Sequence, residues 1–192
     1  DLMLADRIEG KWIDAFAAVF TLCKVAPGES VAILSETQSR ALNVHIAELA
    51  LQRLGARPFH VVVPTPPQDA PVPVRSTGAS AALTGQDAAI AALAASGLVV
   101  DLTVEGLLHA PELPRIIAGG ARMLMISNEH PDALERLLPQ PRDKDRVREA
   151  VSRIRAATEM TVTSAAGTDL KIAMKGASTV GVWGWCDRPG SV

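Results

Sequence analysis

Gly97-Leu98-Val99-Val100-Asp101-Leu102-Thr103-Val104-Glu105-Gly106-Leu107-Leu108-His109-Ala110-Pro111 is the stretch from which the fold is read. Leu98, Val99 and Val100 leave a helix at Gly97 as a short apolar run, the pattern of a buried strand. The run opens into a loop that holds Glu105 and His109. In open α/β sheets the ligand crevice lies outside the carboxyl ends of the strands, so a polar pair just past such a strand is where chemistry is sought.

Upstream, Ile8, Trp12, Phe16, Val19, Phe20 and Cys23 recur at intervals of three and four, which predicts a helix over residues 6–24 that stops at Pro27-Gly28. Residues 30–35 read as a first strand with Glu36 at its carboxyl end, and residues 40–54 as a helix with His45 on its solvated side. Gly55 ends that helix, and residues 58–63 form a second strand in which His60 reads as packed. The proline-rich run over residues 64–73 reads as an irregular excursion. Thr84 is placed as an N-cap, with Asp87 three residues on, for an alanine-rich helix over residues 88–95.

Downstream, a short helix over residues 111–118 ends at Gly119-Gly120, and residues 122–127 read as a fourth strand followed by Asn128-Glu129-His130. Pro131 suits the first turn of the next helix. Over residues 143–158 a long helix turns Val147, Ala150, Val151, Ile154 and Ala157 inward and Arg146, Arg148, Arg153 and Arg155 to water. The period then changes to two. Residues 160–164 and 169–174 alternate around Ala165-Ala166-Gly167-Thr168 as a hairpin, and residues 180–185 are a further strand candidate.

Strand-helix alternation over residues 30–140 predicts an α/β fold, a Rossmann-like three-layer αβα domain with a mainly parallel sheet over residues 1–157. Residues 158–192 read as the first β-strands of an incomplete second domain, because two or three strands alone are marginal. With no initial Met, the sequence reads as a piece of a longer protein.

The 192 residues are 48% hydrophobic and 21% charged, the composition of a packed globular protein. A net charge of −2 and 3% aromatic residues offer neither an electrostatic footprint nor stacking platforms, so nucleic acid is not an expected partner. No run of 18 or more apolar residues and no signal peptide is read, so the expectation is a cytoplasmic protein without membrane attachment. Cys23 and Cys186, the two cysteines, stand in no CxxC and read as buried or free thiols.

Few titratable groups fall at the predicted carboxyl edge of the sheet. Glu105 and His109 lie four residues apart, on one face if the loop is helical, and either is a proton shuttle, a ligand orienter or a structural loop contact. Glu36 and the group containing Asn128 and His130 share that edge by topology. No GxGxxG, P-loop, HExxH or GxSxG is present, so neither a nucleotide, a complete metal site nor a serine triad is visible.

Four segments carry a resemblance: Ala26-Pro27-Gly28-Glu29-Ser30-Val31, Ala82-Leu83-Thr84-Gly85, Leu98-Val99-Val100-Asp101 leading to Leu107-Leu108-His109, and Trp185-Cys186-Asp187-Arg188-Pro189-Gly190. Together they resemble the 2,5-dihydroxypyridine 5,6-dioxygenases, within the fold family of the leucyl aminopeptidases (aminopeptidase T type, peptidase family M29). The resemblance implies a Rossmann-like amino-terminal domain and a metal-bearing carboxyl-terminal one. It also implies a mononuclear Fe(II) held by two His and an Asp beyond Val192, or a Zn, Co or Mn pair if the protein is an aminopeptidase, with no metal bound by residues 1–192. Leu108 and His109 match a Leu-His pair of the dioxygenase substrate pocket. Val182 stands where the dioxygenase has an acidic residue before its aromatic-Gly-aromatic stretch.

Three functions follow. The first is the amino-terminal part of a non-haem Fe(II) ring-cleaving dioxygenase acting on a small hydroxylated N-heteroaromatic, with His109 catalytic, Leu108 and Glu105 at the substrate, and Glu36, Asn128 and His130 at the cleft edge. The second is the corresponding part of a metal-dependent aminopeptidase, and the third a non-catalytic scaffold or dimerisation domain. A homo-oligomer is the expected assembly.

Overall fold

A computed structural model describes residues 7–67 and 78–192. The apolar stripe that begins at Trp12 folds into helix α1, Gly10–Leu22, burying Trp12, Ala15, Phe16 and Phe20. Lys24 closes it in the left-handed region at φ 59°, while Val25 N–H donates to Phe20 O and Lys24 N–H to Thr21 O. Strand β1, Ser30–Glu36, leads into α2, Ala41–Arg53, and then β2, Arg57–Val63. After the undescribed residues come α3, Asp87–Ala94, β3, Leu98–Asp101, and α4, Leu113–Ile117. Strand β4, Arg122–Met125, and helix α5, Pro131–Arg136, follow.

The four strands are parallel in the order β2-β1-β3-β4, with Ala32 beside both Phe59 and Val99, and Val99 beside Met123. Every residue of the internal strand β3 is buried, the reason its sequence is a continuous apolar run. Ala32, Leu34, Val99 and Met123 share a core with Ile90 and Leu93 of α3 and Leu113 and Ile116 of α4. By strand alternation Val31, Ile33 and Val100 turn to the opposite face. There α1 packs on α2 and α5, which completes three layers. The α/β class with a mainly parallel sheet is therefore as the sequence implies.

The chain forms two compact units. The first is Asp1–Leu138 together with Trp185–Val192, the second Pro139–Gly184. The returning tail lies along the free edge of β4: Gly190 N–H donates to Gly120 O at 3.2 Å and Met123 N–H to Ser191 O at 2.9 Å. It also buries Cys186 against Cys23, sulfur to sulfur at 3.7 Å.

In the second unit α6 spans Pro141–Ala156, and β5, Glu159–Thr163, pairs antiparallel with β6, Asp169–Ala173. The hairpin is as expected from its alternation. The inward face expected of the long helix is not buried: Ile154 is 39% exposed and no residue of α6 is fully covered. Residues 180–184 form no strand. At Gly181 the backbone lies so close to α6 that a Cβ would meet Val147 and Val151, which turns the segment onto the helix rather than into a ladder.

Other expectations change for local reasons. Strand β2 is an edge strand, so His60 is not packed in the core; its Nε2 lies 3.3 Å from Glu48 of α2 with the side chain 36% exposed. The N-cap of α3 is Gln86, and the Thr84 hydroxyl instead donates to Glu112 at 3.3 Å. The expected proline-rich excursion lies largely outside the described residues, from residue 68 on.

Candidate functional site

The strand order reverses between β1 and β3, whose carboxyl ends bring Glu36 and Asp101 to one place in the sheet. Glu36 is 4% exposed. Its Oε1 accepts the Ser80 hydroxyl at 2.9 Å, and its Oε2 has no hydrogen-bond partner among the described residues. Asp101 is fully buried, and its carboxylate holds the following loop: Oδ1 accepts the Thr103 N–H at 3.0 Å and the Thr103 hydroxyl at 2.6 Å, while Oδ2 accepts the Leu107 N–H at 2.7 Å. Burial pushes the Asp101 carboxyl up to about 6, because these bonds favour the ion less than desolvation penalises it, and Glu36 adds repulsion.

The loop after β3 is not helical, so Glu105 and His109 do not share a helix face. A second strand of chain fixes it instead. Gly78 N–H donates to Glu105 O at 2.6 Å, Ser80 N–H to Gly106 O at 2.8 Å, and His109 N–H to Gly78 O at 2.5 Å. Gly78, at φ +73°, sits so near that a Cβ there would stand 3.2 Å from both His109 Cδ2 and Leu108 Cβ. Leu108 and Glu105 are half-buried and His109 is exposed. The arrangement presents an imidazole on a rigid backbone beside a half-covered leucine.

Glu36 joins this loop through Ser80 and Gly106. Asn128 and His130 are engaged elsewhere: Asn128 Oδ1 accepts Arg40 N–H at 2.8 Å at the start of α2, and His130 caps α5 by accepting Asp132 N–H at 3.3 Å. The His130 ring also stands edge-on to Trp12, centroids 5.3 Å apart. Asp101, Ser80 and Gly78 escaped the sequence reading. The one available signal was an Asp two residues before a Thr where an apolar strand ends, the pattern of a side chain bonding its own following turn.

Among the described residues no group of three or more His, Cys, Asp or Glu could hold an ion. Nor, among them, is any helix long and apolar enough to cross a membrane.

This is an open parallel α/β domain with polar side chains gathered at its switch point. The chain belongs to the NicX family, described as 2,5-dihydroxypyridine 5,6-dioxygenase, whose profile matches residues 11–192. It is 36% identical over 177 residues to the 2,5-dihydroxypyridine 5,6-dioxygenase of Pseudomonas putida strain KT2440, which covers 91% of this chain and 50% of that protein. The solved structure of the 2,5-dihydroxypyridine dioxygenase from Pseudomonas putida KT2440 superposes with a TM-score of 0.81 at 34% identity, covering 94% of this chain and 52% of the other. The chain thus spans about half the length of the relatives it matches. Both carry the dioxygenase description, and neither lends support to the aminopeptidase alternative.

Proposed function

We propose that residues 1–192 are the amino-terminal part of a non-haem Fe(II) ring-cleaving dioxygenase whose substrate is a small hydroxylated N-heteroaromatic such as 2,5-dihydroxypyridine. The single observation that carries the reading is the match to the dioxygenase in both sequence and backbone along nearly the whole chain. In this proposal the iron ligands lie outside residues 1–192, and no step of the metal chemistry is assigned to side chains here.

What these residues contribute is the substrate side of the pocket. Leu108 supplies a flat apolar contact for a ring. The exposed imidazole of His109 hydrogen-bonds a ring hydroxyl or moves its proton, since its ring nitrogens can donate or accept. Glu105, half-buried in the same loop, faces the same substrate. Glu36 stands behind the loop, whereas Asn128 and His130, at helix starts, are proposed only as the outer edge of the cleft. The protein is proposed to work in the cytoplasm as a homo-oligomer.

The test is ring cleavage of 2,5-dihydroxypyridine by the full-length protein loaded with Fe(II), followed by loss of substrate absorbance and by O₂ uptake. Hydrolysis of leucyl peptides with Zn, Co or Mn, and no ring cleavage, would replace this reading with the aminopeptidase one.

A further inference from the structure

Among the described residues Asp101 is the one fully buried carboxylate at the end of an internal strand, and its bonds to Thr103 and Leu107 run forward into a single loop. Thr103 Oγ1, which donates to Asp101, in turn accepts Gly106 N–H at 3.1 Å. One carboxylate thus fixes three consecutive points of the turn: Thr103, Gly106 through the hydroxyl, and Leu107. The next two residues are Leu108 and His109. On the far side the same loop is clasped by the backbone of Gly78 and Ser80, and Ser80 is tied to Glu36.

We infer that Asp101 is the positioning residue of this site: its carboxylate sets the turn at residues 103–107 and so fixes where Leu108 and His109 stand. A buried carboxylate without such a role is costly, and an apolar residue here would match the Leu-Val-Val run that precedes it. The loop has no helix or ladder of its own to hold it, so removal of the acceptor frees Leu107 N–H first. The inference rests on the proposed role of His109 for its catalytic consequence, though not for its structural one.

Asp101→Asn in the full-length protein is the test. The variant keeps Oδ1 for Thr103 and sets an NH₂ against the Leu107 N–H. A hydrogen bond to a charged acceptor is of a strength whose loss speeds local exchange by roughly tenfold or more. Amide exchange at Leu107 should therefore quicken by about that factor, and at His109, whose N–H is held by Gly78 O, by less, while Ile33 and Leu34 in β1 keep their protection. The kcat/KM on 2,5-dihydroxypyridine should fall, and should fall by a smaller factor when Asp101→Asn is added to His109→Ala, since only Leu108 is then left to be misplaced. Unchanged exchange in the loop, equal loss of protection throughout β1, or the same loss of activity with and without His109 would each overturn the inference. If His109→Ala alone keeps full turnover, the proposed function of His109 fails and the exchange data decide the positioning role by themselves. Should Asp101→Asn not fold, Thr103→Val removes the hydroxyl that donates to Asp101 Oδ1 and accepts Gly106 N–H; exchange at Gly106 should then quicken while β1 keeps its protection, and unchanged exchange at Gly106 would overturn the inference.

Discussion

His109 and Asp101 mark the two ends of one loop, the first exposed, the second buried where the sheet ends. If the imidazole carries a proton or orients a hydroxyl, His109→Ala in the full-length enzyme should lower turnover by roughly 10² to 10⁴. Stability should move by only about 0.5 kcal/mol, since an exposed loop side chain yields little packing. His45→Ala and His60→Ala are the controls, and turnover near wild type in His109→Ala would refute the assignment. Asp101 bears instead on pH. Its carboxyl is raised to about 6 by burial, so the folded state holds that proton more tightly than the unfolded chain does. The sign follows: its contribution to stability is fully present below about pH 4, declines as pH rises towards 6, and is absent above. The facing groups are Glu36 from β1 and the Thr103 and Leu107 donors of the loop. Urea unfolding of wild type against Asp101→Asn between pH 4 and 7 should show a wild-type slope that the variant lacks, and parallel curves would remove Asp101 as the titrating group.

At the scale of elements, the opposite end of the sheet is held by Arg122 at the start of β4. Its Nε donates to Gly97 O at 3.1 Å, its guanidinium bonds Cys23 O and pairs with Glu29, and the two side chains are 9% and 17% exposed. Arg122→Met should cost about 3 kcal/mol, because the largely covered Glu29 then loses its ionic partner and keeps only the Ala26 N–H. A loss under about 1 kcal/mol in urea unfolding would mean that the pair is solvent-screened. The elements themselves were legible from their apolar pattern: α1 and α2 follow from a repeated helical spacing that buries one face, β1 and β3 from short continuous apolar runs that are buried on both. The loop was not. Its conformation is set by the Asp101 carboxylate and by the Gly78 and Ser80 backbone, and backbone bonds such as Ser80 to Gly106 and Gly78 to His109 join residues far apart in sequence and leave no periodic trace. Residues 180–184 failed for a related reason. Val180 and Val182 alternate as a strand would, yet stand 83% and 66% exposed, and Gly181 between them lies against α6 instead of pairing in a ladder.

The whole molecule combines a unit with a deep core and a unit with almost none. Phe20, Ile33, Leu51, Leu93 and Leu98 are fully enclosed in the first. In the second, cross-strand pairing sets Met160 opposite Ile172 and Val162 opposite Leu170, so all four share one face of the hairpin, each at least 37% exposed. A two-stranded sheet with an uncovered apolar face is marginal in water. In the 192-residue chain, therefore, amides of β5 and β6 should exchange at least 10²-fold faster than those of β1 and β3, since local opening there disrupts few buried contacts. The boundary of weak protection should fall at residue 184 and not run on to residue 192, because Gly190 and Ser191 are bonded to β4 of the well-packed unit. Exchange read residue by residue at two protein concentrations gives the answer. Protection in β5 and β6 equal to that in β1 at both concentrations would contradict the argument from burial. Protection that rises with concentration would instead show a second copy of the chain covering Met160, Val162, Leu170 and Ile172.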